Sequence, residues 1–111
     1  MKTTDALECL FALAHETRLA AFRHLVQAGP AGMPVGALQE KLDVPAATLT
    51  AHLNILRNAG LVSDQREGRV IRVSAAYPRM NELLAYLTQN CCSGSACAPV
   101  AASSTRKRRY S

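Results

Sequence analysis

Tryptophan is missing from this chain of 111 residues, and only two phenylalanines and three tyrosines supply aromatic bulk. A core without large rings has to be built mainly from Leu, Val and Ala, which favours packed helices. No apolar run approaches the ~20 residues that a membrane span requires, and the first residues lack the basic-then-apolar layout of a secretory signal. The expectation is a cytoplasmic protein with no membrane partner. Among the four cysteines there is no Cys-x-x-Cys pair, and no thiol stands near a base in the sequence. An enzyme working through an activated thiol is therefore not indicated, and no catalytic cofactor is expected. In a reducing compartment such cysteines act as ligands or reactive thiols more often than as disulfides.

What is present is a formal charge of +5, of which four units sit together in Arg106, Lys107, Arg108 and Arg109, leaving +1 for everything else. A basic balance confined to a tail says little about the body, so any affinity for nucleic acid has to be argued from local placement. The length suits one core and not two. Residues 1–90 read as that domain, and residues 91–111 as a cysteine-containing, flexible basic tail, because Ser, Ala, Gly and Pro dominate Ser93 to Ser104.

Hydrophobic periodicity predicts a helix from Thr4 to Ala14, with Leu7, Leu10, Phe11 and Ala14 on one stripe and Ala6, Cys9, Ala12 and Leu13 covering most of the rest. A terminal helix apolar nearly all round needs cover on both sides, either from a second subunit or from a central position in a monomer. Glu16 to Ala28 makes a second helix with Leu19, Phe22, Leu25 and Val26 inward and an acidic residue in its first turn. Gly29, Pro30, Gly32 and Pro34 then break the chain. A short third helix follows from Val35 to Leu42. After the turn Asp43 to Pro45, a fourth runs from Ala46 to Asn58 over a buried stripe of Leu49, Leu53 and Leu56. Leu61 to Ser74 reads as a hairpin with a polar tip at Arg66, Glu67, Gly68 and Arg69. Pro78 opens a last helix to Asn90, with Met80, Leu83, Leu84 and Leu87 on one face. The fold class is thus mainly α with a small β-hairpin wing, in the order α-α-α-α-β-β-α.

Two short helices joined by a three-residue turn form a helix-turn-helix, because a tight joint holds the second helix proud of the body. Opposite Leu49 and Leu53 that helix carries Ala47, Thr50, Ala51, Asn54 and Asn58. Such small or uncharged polar groups approach base edges closely, and Thr and Asn both give and accept hydrogen bonds there. An ordinary solvated face has the same composition. Arg66, Arg69 and Arg72 of the hairpin are placed to meet phosphate or enter a minor groove.

In this order of elements the strings LAHETRL, TLTAHLNILRNAGLV and QREGRVIRVS stand where an opening of the second helix, a recognition helix and a wing belong. From about Leu13 to Leu87 the chain resembles the ArsR/SmtB family of winged helix-turn-helix, metal-responsive repressors. The resemblance implies a homodimer paired through its first and last helices, double-stranded operator DNA as ligand, and release of that DNA when an inducer binds. Carried over residue by residue, the family's recognition positions fall on Ala47, Thr48, Thr50 and Ala51, and its histidine before leucine falls on His52. Two of these are alanine, which offers only a methyl contact, and Pro45 stands where a serine-like cap is usual. His52, next to Leu53, reads as a hydrogen-bonded structural histidine rather than a base reader.

Cys91, Cys92 and Cys97 fall at the end of the last helix and the start of the tail. Neighbouring cysteines rarely bridge each other comfortably, since a disulfide wants alpha carbons ~4.4 to 6.8 Å apart with particular dihedrals. They do present two thiolates to one soft ion, and the intervening Ser93 to Ala96 allows Cys97 to return as a third. Three thiolates without a fourth ligand suit trivalent arsenic or antimony, so arsenite or antimonite is the expected inducer. Zinc, which asks for four ligands, and thiol oxidation remain as alternatives. Resemblance adds that some arsenic-sensing members carry a vicinal pair with a third cysteine just beyond the last helix. Cys9, inside the apolar first helix, reads as core or interface.

Overall fold

The computed structural model describes residues 1–94. Helices α1 (Thr3–Leu13) and α2 (Glu16–Ala28) lead into strand β1 (Met33–Pro34), then α3 (Val35–Leu42), α4 (Ala46–Asn58), β2 (Val62–Glu67), β3 (Val70–Ala75) and α5 (Tyr77–Leu87), followed by a short 3₁₀ turn, Cys91–Gly94. Every expected helix and both hairpin strands are present. Some bounds differ: α1 runs from Thr3 to Leu13 rather than from Thr4 to Ala14, and α5 begins at Tyr77 and ends at Leu87, three residues short of Asn90. A third strand also joins the sheet.

That strand is the two-residue β1, which pairs antiparallel with β3, Met33 opposite Val73 and Pro34 opposite Arg72, giving the order β1-β3-β2. Its segment is rich in Gly and Pro and too short to show a period of two, so only the tertiary pairing defines it. Arg72 fixes it from the side, its Nε donating to the Ala31 carbonyl (3.1 Å) and its Nη2 to that of Gly32 (3.2 Å). Gly32 itself has φ +68° and lies so close to β3 that a Cβ would strike the Val73 carbonyl. The β2–β3 hairpin turns over Gly68 and Arg69, with only the glycine at positive φ (+64°), the pattern of a II′ turn.

The core is aliphatic, as a chain without tryptophan requires: Leu25, Leu38, Leu49, Leu53, Leu56, Leu61, Val73 and Cys9 are fully buried. On α1 the inward face is made of the short residues Ala6, Cys9 and Ala12. The long residues Leu7 and Phe11 point outward, 59% and 66% exposed, and on α5 Leu84 and Leu87 are likewise more than half exposed. On α2 the expected inward Leu19 is exposed. The buried position next to it belongs to Arg18, only 8% exposed.

A few polar contacts join the elements. Thr3 Oγ1 and Tyr86 Oη are 2.6 Å apart between α1 and α5, and the Tyr77 hydroxyl donates to the Val26 carbonyl at 2.8 Å. Arg79 of α5 donates from Nε to the Ala59 carbonyl at the end of α4 (3.1 Å), while its guanidinium lies 3.9 Å from Asp5 and 3.6 Å from Glu82.

Candidate nucleic-acid interface

Helix α3 stops because Asp43 takes the left-handed conformation (φ +54°), its N–H closing on the Gln39 carbonyl at 2.8 Å. A short polar side chain tolerates that region better than a branched one. Val44 and Pro45 complete the joint, and Pro45, extended at φ −62° and ψ 150°, starts α4 without any side-chain cap. The first amides of α4 are therefore left to whatever approaches that end.

Leu49, Leu53 and Leu56 pin α4 to the body with 1% or less of their surface exposed. The turn between them and the outer face fixes what is presented: Ala47, Thr48, Thr50, Ala51 and Asn54 are all exposed along α4. Arg66 and Arg69 are exposed at the hairpin tip, Arg66 ending β2 and Arg69 in the turn. All seven residues read from the sequence as the DNA-contacting set thus lie on the surface of the helix-turn-helix and the wing. Arg72 does not join them, because both of its bonds hold the loop before β1.

Behind the outer face lies a joint that periodicity did not reveal. Arg18 Nε donates to the Ala12 carbonyl at 2.7 Å and Nη2 to that of Phe11 at 3.3 Å, with its Cζ 5.5 Å from the Phe11 ring centroid. Its Nη1 is 3.5 Å from Nδ1 of His52. The His52 ring in turn lies 4.5 Å from that of His15, whose Nδ1 caps α2 by accepting from the Thr17 amide. Burial, then the neighbouring His15 and Arg18, pushes the His52 imidazole below its ordinary value. His52 is therefore a partnered residue of the hinge between α2 and α4, as its place beside Leu53 suggested. The sequence signal for Arg18 was faint, since α2 also carries Arg23 and nothing in the pattern separates the buried arginine from the exposed one.

A second polar relay ties α4 to the wing. Arg57 Nη1 donates to Asn54 Oδ1 at 2.7 Å, and its Nε lies 2.8 Å from Asp64 Oδ2 on β2. The Nε–H does not point along that second contact, which is an ion pair rather than an aligned hydrogen bond.

Of the cysteines, Cys9 is fully buried, with Sγ 3.6 Å from the Ala59 carbonyl to which it donates. Burial pushes its thiol up, opposed in part by Arg79, so it makes a poor ligand and a poor nucleophile. Cys91 is half-buried and Cys92 exposed. They open the 3₁₀ turn after α5, with Asn90 and Cys92 both in the left-handed region (φ +57° and +55°). Cys97 and the basic run from Arg106 to Arg109 lie outside the described residues. Among the described residues no three His, Cys, Asp or Glu side chains gather into a metal-holding group.

A three-helix reading head with a flanking hairpin defines a winged helix-turn-helix domain. Residues 13–65 match the model of a helix-turn-helix domain family. A curated relative, the biofilm growth-associated repressor of Agrobacterium fabrum, is 37% identical over 70 residues, 63% of this chain and 57% of that protein. The chain thus matches little more than half the length of that relative. Among solved structures, an ArsR-like transcriptional regulator from Rhodococcus sp. RHA1 is 29% identical over 78% of each chain, with a TM-score of 0.68. NolR from Sinorhizobium fredii is 31% identical over 84% of this chain and 88% of its own, with a TM-score of 0.63. On these likenesses the chain is a winged helix-turn-helix transcriptional regulator similar to the ArsR-like proteins, a class of DNA-binding proteins and not of enzymes. No helix among the described residues is long and apolar enough to cross a membrane.

Proposed function

We propose that this chain is a repressor that binds operator DNA as a homodimer and lets go when Cys91, Cys92 and Cys97 bind trivalent arsenic or antimony. The observation that carries the reading is the position of the vicinal thiols. Cys91 and Cys92 lie just beyond α5, separated from its end by three residues, and this is the helix whose Leu84 and Leu87 stand bare. An apolar ridge on α5 facing another on α1 is what a self-complementary interface needs. Two recognition helices held about one turn of duplex apart then match a near-palindromic operator.

The donor set fits a soft, three-coordinate ion: two adjacent thiols, at least one reachable from solvent, and a third cysteine five residues further on. The metalloid would supply three bonds to sulfur. The protein's part is to turn those bonds into a shift of α5 against its partner. Coupling of ~1 to 3 kcal/mol between the two ligands is enough for a working switch.

Serine at Cys91, Cys92 or Cys97 is expected to leave operator affinity unchanged and to abolish release by arsenite, measured by fluorescence anisotropy under reducing conditions. Release that persists undiminished in all three variants rules the reading out. Release of the wild-type protein by zinc alone, or by peroxide after the reductant is removed, would move the same thiols to the zinc or the redox alternative.

A further inference from the structure

The relay from Asn54 through Arg57 to Asp64 determines which way an amide faces. A guanidinium has donors and no acceptor, so the Asn54 atom 2.7 Å from Arg57 Nη1 has to be the carbonyl oxygen. Arg57 is itself anchored 2.8 Å from Asp64 at the base of the wing and sits about a quarter exposed, against the body of the domain. The Asn54 oxygen is thereby turned along the helix surface toward Arg57, and the NH₂ end is the group left to project from the exposed face.

We infer that Asn54 meets the duplex as a hydrogen-bond donor only, with Arg57 as the positioning residue that fixes this polarity. The inference rests on the reading of α4 as the DNA-contacting helix. Its chemical content is an exclusion as much as an assignment. The two-point contact by which asparagine reads adenine needs Oδ1 to accept from the N6 amino group while Nδ2 donates to N7. Here the oxygen keeps a second lone pair but is turned toward Arg57, away from the amide end that projects, so both ends of the amide are not presented together and that pairing is not offered. The fitting counterparts are acceptors: N7 of either purine, O6 of guanine, O4 of thymine, or a phosphate oxygen. Asp64 and Arg57 belong to different elements, so the wing strand, through Asp64, takes part in what the recognition helix presents.

The test uses the full-length protein and duplexes selected from a randomised pool. Asn54→Ala is expected to lower affinity roughly three- to tenfold, the scale of one hydrogen bond. A loss confined to one base-pair position marks a base edge, and an equal loss on every duplex marks a phosphate; both agree with a donor contact. Each adenine of the selected site is then replaced in turn by unsubstituted purine, which lacks the 6-amino group. The expected result is that no such replacement weakens wild type more than it weakens Asn54→Ala. Arg57→Met, which frees the oxygen, should acquire sensitivity to one of those replacements, and Arg57→Lys, which still donates, should not. An adenine whose amino group matters to wild type and not to Asn54→Ala overturns the inference, as does full affinity in Asn54→Ala. Failure of wild type to retain any duplex overturns the repressor reading together with it.

Discussion

His52 shows how one side chain can serve the fold while standing on the helix proposed to meet DNA. Its imidazole is held neutral by burial and by two neighbours, His15 and Arg18, that would repel a second positive charge. A depressed histidine value means that the unfolded chain takes up the proton first. Stability is then greatest above the ordinary value of about 6.5 and falls as the pH drops through it toward the lower folded value. The urea midpoint is expected to decline between about pH 7.5 and about pH 5.5, and His52→Gln to flatten that decline. A midpoint independent of pH in the wild type would show that the cluster carries no such linkage. The sequence indicated the role of His52, because a histidine beside a core leucine is usually satisfied. Arg18 was out of reach: its partners are carbonyls at the end of another helix, and no pattern along α2 announces them.

At the level of elements, the helices were readable because Leu49, Leu53 and Leu56, or Phe22, Leu25 and Val26, recur at helical spacing. The joint at Asp43 to Pro45 and the hairpin over Gly68 were readable from turn chemistry. β1 was not, because two residues between prolines and glycines acquire strand geometry only by pairing with β3. The same pairing makes Gly32 hard to replace. Gly32→Ala combines a positive φ with a collision against β3, so a loss of about 1 to 3 kcal/mol is expected by urea denaturation. Gly68→Ala, where a Cβ meets nothing within 4 Å, carries only the backbone strain and should cost less.

For the whole molecule, the apolar residues on α1 and α5 outnumber what one core can cover. The sequence already pointed to this, since the first helix is apolar nearly all round. It did not show which residues would face out, and the answer reversed the simplest ranking: the short side chains went inward and Leu7, Leu10 and Phe11 stayed on the surface. If these residues and Leu84 form the contact between subunits, Phe11→Glu or Leu84→Glu should yield a monomer in sedimentation and cut operator affinity, with little change in helical circular dichroism. Variants that stay dimeric would place the interface elsewhere.

The inward face of α1, built from Ala6, Cys9 and Ala12, has a consequence for how such proteins change over time. Side chains this short let the helix axis lie close against α4 and α5, and at zero or 2% exposure there is no slack beneath it. A single added methyl at Ala12 would lift the helix and carry Leu7, Leu10 and Phe11 outward with it. In the proposed dimer the spacing between two reading heads would then be set in part by residues buried within one subunit, and divergence at those hidden positions would be a route to a new half-site separation.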